Sequence, residues 1–275
     1  MDDFIFSLFS DTGGIILLDP ENADALGDDF VERLDAALNP GDDAGQTAGQ
    51  DGDWARAWSE AVGGLRRMSA GGEFTLILSG EGTFHARLQT SELGDDERER
   101  LVETFEERLH VRSGRLAFTD GGEFFGEALP GAGAVSLGVA EGYYSAQIHY
   151  LERHPSLTPT VGVFGSEEHP ALILRLTPAE PSGACARGGE AFPRLRPSRG
   201  RYENPRPGWN CYAQVTGVGG GWASLELMLT ETVYSGHGRM SVPEGEELKA
   251  GDYVLVRLVE DTGAYWTAEW QGDPT

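Results

Sequence analysis

The chain of 275 residues contains one lysine, Lys249; its other fixed cations are all arginines. Lys and Arg together number 21 against 45 Asp and Glu, so the net charge is -24 and the pI near 4.5. A field of that sign repels nucleic acid and anionic membrane surfaces and attracts basic proteins. There are two cysteines, Cys185 and Cys211. They are too few for a disulfide scaffold and lack metal-ligand spacing. They read as reduced thiols of a cytoplasmic protein. No apolar run approaches the ~18 residues a membrane span needs. The start, MDDFIFSLFSD, is acidic where a secretory signal is basic.

Catalytic signatures are missing as well. There is no G-x-S-x-G, no P-loop and no G-x-G-x-x-G following a strand. Gly217 to Gly221 is glycine-rich but lies between two apolar alternations, so it reads as a hairpin turn and not a phosphate cradle. His149, Glu152 and His154 are close in sequence, yet Pro155 follows them and their spacing is not that of a zinc helix. Asp42, Asp43, Asp51 and Asp53 match no EF-hand order. The expectation is a protein without catalysis, cofactor or metal.

Glycine is abundant, with 39 residues, and 12 Phe, 8 Tyr and 6 Trp suffice for packed cores. Many tight turns between short strands follow from this composition. The length calls for more than one domain.

Two stretches echo each other. Thr12-Gly13-Gly14-Ile15-Ile16-Leu17-Leu18-Asp19 resembles Ser113-Gly114-Arg115-Leu116-Ala117-Phe118-Thr119-Asp120. Each is a strand entered through a Gly turn and left at an Asp. Hairpins follow, with Glu81-Gly82 matching Glu141-Gly142, and Phe84, Ala86 and Leu88 matching Tyr144, Ala146 and Ile148. Before the turn the pattern slips: Phe74, Leu76 and Leu78 would match Val135, Leu137 and Val139, which calls for a bulge or a changed loop. The pair reads either as an internal duplication, with half-repeats at about 1–92 and 111–176, or as two unrelated hairpins of one sheet.

Phe30, Leu34 and Leu38, behind acids 28 and 29, predict a helix from about Gly27 to Leu38. Trp54, Trp58 and Val62 predict a second from Asp53, ended by Gly63-Gly64. Leu101, Val102, Phe105 and Leu109 predict a third over 95–110, joining the halves. The Gly/Asp-rich 39–53 reads as a mobile loop. Thr158 to Leu176 reads as a hairpin turning at Ser166-Glu167-Glu168-His169, with no counterpart in the first half.

The stretch 177–209 carries Pro178, Pro181, Pro193, Pro197, Pro205 and Pro207, together with Arg194, Arg196 and Arg199. It reads as an interdomain linker. Its arginines suit either a nucleic-acid contact or a strap over acidic surface. From 210 to 275 short alternating segments predict five strands in a small barrel. The architecture expected is α+β: an antiparallel sheet unit with three helices over 1–176, then an all-β five-stranded OB- or SH3-like barrel.

The opening CYAQVTGVGGGWASLEL and the phrase Leu248-Lys249-Ala250-Gly251-Asp252-Tyr253-Val254-Leu255-Val256 resemble the OB-fold, in its S1-like form. That resemblance implies oligonucleotide or protein binding on the barrel face, where Trp222, Tyr234, His237, Arg239, Tyr253 and Tyr265 are the candidate residues. Few cations accompany these aromatics, which turns the expectation toward protein. The Ser113-Gly114-Arg115-Leu116 to Asp120 strand with Glu141-Gly142-Tyr143-Tyr144 resembles small α+β domains of bacterial competence-inhibitor and toxin-immunity families. The expected function is an acidic binding protein, immunity- or inhibitor-like, gripping a basic protein. The alternative is a nucleic-acid-associated protein using the barrel and the arginine-rich linker.

Overall fold

The structure is a computed structural model, and it describes residues 3–10, 14–38, 51–79, 82–121, 135–181, 192–193, 195, 206–228 and 235–272. Loop 39–50, Cys185, Tyr234, Arg194, Arg196 and Arg199 lie outside the described residues, as do the side chains of Trp54 and Trp58. The chain divides into two compact units, one of 1–154 with 164–197, the other of 155–163 with 198–275.

The first unit contains β1 (Phe4–Ser10), β2 (Gly14–Leu18), α1 (Pro20–Leu38), α2 (Asp51–Met68), β3 (Phe74–Leu78), β4 (Gly82–Gln89), α3 (Asp95–Glu99), β5 (Leu101–Val111), β6 (Arg115–Asp120), β7 (Val135–Gly138) and β8 (Gly142–Leu151). After the two-residue β9 (Val163–Phe164) comes β10 (Leu172–Ala179). One sheet runs β1-β4-β10-β8-β5 and the other β3-β2-β6-β7.

These orders carry a pseudo-dyad. β1 pairs β4 as β5 pairs β8, and β2 pairs β3 as β6 pairs β7. The two echoed strands, β2 and β6, lie antiparallel at the centre of the second sheet, with Leu17 opposite Phe118. β10 fills the matching centre of the first sheet, antiparallel to β8 and parallel to β4. A strand on the dyad can occur only once, which is why the 158–176 stretch has no counterpart earlier in the chain.

Between the sheets, Ile15, Leu17, Ile77, Leu116, Phe118 and Leu137 meet Phe84, Ala86, Leu88, Tyr144, Ala146 and Ile148. On the far side of the second sheet, Ile16, Leu18, Phe74 and Leu76 pack against Phe30, Leu34, Val62 and Leu65 of the helices. β3 is therefore apolar on both faces. The true match for Leu137 is Ile77, and both precede their turn glycine, Gly82 or Gly142, by the same number of residues. No bulge is needed; Phe74 and Leu76 belong to the helix-covered face, which β7 lacks.

The helix expected over 95–110 is corrected. Only Asp95–Glu99 is helical; Leu101–Val111 is a strand. Phe105, Glu107, Leu109 and Val111 face inward at every second residue, and the buried Glu107 masked that alternation. Burial pushes the Glu107 carboxyl up, against the pull of Arg66, whose guanidinium lies 2.6 Å away. α1 begins earlier than expected, at Pro20, and Gly27 (φ 68°, ψ -176°) kinks it where the sequence predicts its start. α2 runs through Gly63-Gly64 to Met68, and a Cβ on Gly64 would stand 2.4 Å from the Arg33 guanidinium of α1. Part of the expected linker is a strap on the β3 edge: Leu78 N–H donates to Pro193 O and Leu195 N–H to Leu78 O, both at 2.9 Å. Apolar burial of Phe192 and Leu195 holds it there.

Asp19 ends β2 and caps α1. Its Oδ1 accepts the Glu21 N–H at 2.8 Å, with Pro20 at the first helical position. The same carboxylate accepts the Arg112 N–H at 2.6 Å, the Ser113 N–H at 2.7 Å and the Ser113 hydroxyl at 2.8 Å, in the turn of the other half. Across the dyad, Asp120 accepts the Ser10 hydroxyl at 3.0 Å.

Burial alone would raise the Asp19 carboxyl, but the Ser113, Glu21 and Arg112 donors outweigh it and hold it below the usual carboxylate range. Its stabilisation is therefore present above the unfolded value of ~3.9 and lost as pH falls through the folded value. Asp19→Ala is expected to cost about 2–4 kcal/mol in urea unfolding at neutral pH. Asp19→Asn should cost less and flatten part of the stability loss on acidification.

Candidate functional site

The second unit is a closed barrel of β11 (Asn210–Gly219), β12 (Trp222–Met228), β13 (Ser235–Ser241), β14 (Tyr253–Asp261) and β15 (Trp266–Gly272), in the order β11-β12-β13-β15-β14. It is consistent with an OB-like barrel. Strict alternation builds it: Cys211, Ala213, Val215, Ala223, Leu225, Leu227, Val254, Val256 and Leu258 fill the interior. Gly238 sits opposite Leu225, and a Cβ there would lie 2.8 Å from the Leu227 side chain. Glycine at that inward position lets the two leucines fill the barrel, and it turns His237 and Arg239 outward.

The exterior of β12 and β13 gathers several of the sequence-predicted residues. Trp222 is 45% exposed, and the Arg239 guanidinium lies 5.3 Å from its ring centroid, a cation–π pair. His237 is exposed beside Glu226. Trp266 is level with Gly238, so Tyr265, the residue before it, leaves the turn level with His237. Tyr253 is half-exposed but stands apart, opposite Gln214 on the β11–β14 side. The described part of this unit, 206–228 and 235–272, has eight acids (226, 244, 246, 247, 252, 260, 261, 269) and four cations (206, 239, 249, 257). An aromatic and cationic spot thus sits in an acidic surround.

In the first unit, Phe6, Leu8, Phe84, Phe118 and other apolar side chains wall a small void between the sheets. Its chemistry-bearing residues lie on the outer face of the first sheet. Ser7 Oγ meets His85 Nδ1 at 2.9 Å, and Thr104 Oγ1 meets His149 Nδ1 at 2.9 Å. Burial holds both imidazoles below their usual range, with Arg175 adding to the effect at His149. His149 is therefore a sheet residue and does not join His154. Instead, His154 stacks on His169, with ring centroids 3.7 Å apart and planes 3° from parallel. Asp96 Oδ1 lies 3.4 Å from His154 Nε2. Among the described residues, this trio is the one group whose ligand atoms all fall within 4.8 Å of one another. Sequence spacing around His154 gave no metal set, since Asp96 on α3 and His169 in the turn before β10 arrive from elsewhere in the chain.

Carboxylates dominate the remaining surface. Among the described residues only Asp19, Glu107 and Asp120 of the acids are buried. On α1, Asp28, Asp29, Glu32 and Asp35 are exposed along one side, with Arg33 bound to Asp29 at 3.0 Å. No described helix is long and apolar enough to cross a membrane.

No protein-family model matches the sequence, and no curated protein matches it. Two solved structures resemble the chain loosely. One, described as crocagin biosynthetic gene J, has 16% identity and a TM-score of 0.32, covering 66% of this chain and 100% of its own. The other, ComJ, an inhibitor of the DNA-degrading activity of NucA from Bacillus subtilis, has 10% identity and a TM-score of 0.32, covering 65% of this chain and 98% of its own. Superpositions this loose carry no argument about activity.

Cys211 is free and fully buried, and burial pushes its thiol up to about 12. In the folded chain it is expected to stay unmodified by iodoacetamide at about pH 8, and to react in urea. Peptide mapping by mass spectrometry reads the difference; native-state labelling of Cys211 would mean that the barrel opens.

Proposed function

We propose that this protein is a binding protein without catalysis that engages a basic protein partner, in the manner of an inhibitor or immunity protein. The observation that carries the reading is the charge, -24, borne by carboxylates that lie almost wholly outside the cores of both units among the described residues. Such a field raises the encounter rate with a cationic partner and suppresses encounters with anionic ones. Enzymes that work on nucleic acid present basic clefts to its phosphates. A cationic nuclease or toxin is thus the partner class that a surface of this sign complements, with the α1 stripe as its nearest helical match. We place the protein in the cytoplasm, where the Cys211 thiol stays reduced.

The test immobilises the full chain, identifies what it captures from a lysate and measures the binding kinetics. A partner of pI above about 9 is expected, with an association rate falling roughly tenfold between about 0.05 and 0.5 M salt. The combined variant Asp28→Asn, Asp29→Asn, Glu32→Gln, Asp35→Asn should slow association further. Captured proteins of neutral or acidic pI, or a salt-insensitive rate, would remove this reading.

A second reading rests on the Trp222–Arg239 pair: single-stranded nucleic acid stacking on the barrel. If it holds, a low-salt gel shift appears with the full chain and weakens about tenfold on Trp222→Ala. No shift, or one untouched by Trp222→Ala and Arg239→Ala together, dismisses it.

A further inference from the structure

We propose that Asp96, His154 and His169 form a binding site for a divalent first-row metal ion of borderline softness, with Zn²⁺ as its simplest occupant. The three ligand atoms lie within 4.8 Å of one another. A tetrahedral shell with bonds of about 2.0–2.1 Å has edges of about 3.4 Å. The separation between Asp96 Oδ1 and His154 Nε2 is 3.4 Å. The two rings are stacked, with their lone pairs in parallel planes, so ligation of one ion requires the His169 ring to turn out of the stack. Partial exposure of both histidines leaves a fourth position open to water.

The surroundings hold these groups in place. The Arg100 side chain, 8% exposed, takes the other Asp96 oxygen, Oδ2, at 3.0 Å. The same guanidinium donates to Glu152 O at 2.9 Å, and Glu152 N–H donates to Arg100 O at 2.7 Å. The carboxylate is thereby oriented, with Oδ1 turned to the histidines, and the segment carrying His154 is tied to the corner carrying Asp96. An outer-shell partner of this kind is the usual companion of a ligating carboxylate. On the third side, the Ser166–His169 turn is closed in both directions: Ser166 N–H donates to His169 O at 2.9 Å, and His169 N–H to Ser166 Oγ at 3.1 Å. Gly165, at φ +81°, has no room for a Cβ, which would stand 2.5 Å from Ala171 N.

The donor set selects the metal. Two imidazoles and one carboxylate suit Zn²⁺, Co²⁺ or Ni²⁺, whereas Mg²⁺ and Ca²⁺ require shells of oxygen. A bound ion would staple α3, the end of β8 and the turn before β10.

The experiment titrates the full chain with Co²⁺ alone and follows visible absorption, then displaces it with Zn²⁺. One Co²⁺ per chain is expected, with the bands of a nitrogen- and oxygen-ligated low-coordinate ion. His154→Ala and His169→Ala should each weaken binding about a hundredfold, and Asp96→Asn about tenfold. His85→Ala and His149→Ala should leave it unchanged. In the unmodified chain, Zn²⁺ should shift the ring resonances of His154 and His169 in NMR spectra, a readout independent of whether any variant folds. Absence of stoichiometric Co²⁺ binding, binding that survives His154→Ala with His169→Ala, or Zn²⁺ shifts confined to other histidines would overturn the proposal.

Discussion

One buried carboxylate joins the parts of the first unit. Asp19 stops β2, caps α1 and accepts three bonds from the turn that opens β6. Without it, the partly buried N–H groups of Arg112 and Ser113 would lose those acceptors, which is costly for donors shielded from water. Asp120 accepts the hydroxyl of Ser10 at the end of β1, so the halves are joined from both sides. Asn22, in the first turn of α1, adds bonds to the carbonyls of Glu73 and His110. The central β2–β6 ladder, the helix layer and the β5–β6 corner thus share one anchor.

From that anchor the layers follow. β2 and β6 face one sheet on one side, so alternate residues must serve two cores. Ile15 and Leu17 enter the space between the sheets, while Ile16 and Leu18 meet the helices. All five residues of β2 are buried as a result. The outer side of the first sheet carries histidines, arginines and hydroxyls, with a small buried cluster of Leu93, Leu151 and Ile173 beside them. Among the described residues the exterior thus carries many exposed carboxylates and one local cluster of Asp96, His154 and His169.

Much of this was legible in the residues. The echo around Gly13 and Gly114 marked the two central strands, and Gly82 and Gly142 have the positive φ expected of turns. The hairpins expected there are corrected, because β3 and β7 lie in one sheet and β4 and β8 in the other, so each turn crosses between the sheets. The barrel was legible from its alternation. The third helix was misread because Leu101, Val102, Phe105 and Leu109 have helical spacing, while the inward set of the strand includes a charged residue, Glu107, whose partner Arg66 lies on another element. The start of α1 was available in Asp19-Pro20, a cap followed by a residue preset for the first helical turn. On the barrel, Trp222, Arg239, His237 and Tyr265 fall on neighbouring positions and Tyr253 does not, because the closed order puts β14 next to β11.

By itself the sequence determined the strand periodicity, the turns, the net charge and the existence of two β-rich parts, because each depends on neighbours in the chain or on a simple sum. Tertiary structure decided which strands meet: β10 lies between β4 and β8, and β2 lies against β6. It also decided the grip of Asp19 on Ser113 and the convergence of Asp96, His154 and His169. Those contacts join residues far apart along the chain, and only the packing of sheets and helices around shared cores brings such residues within reach of one another.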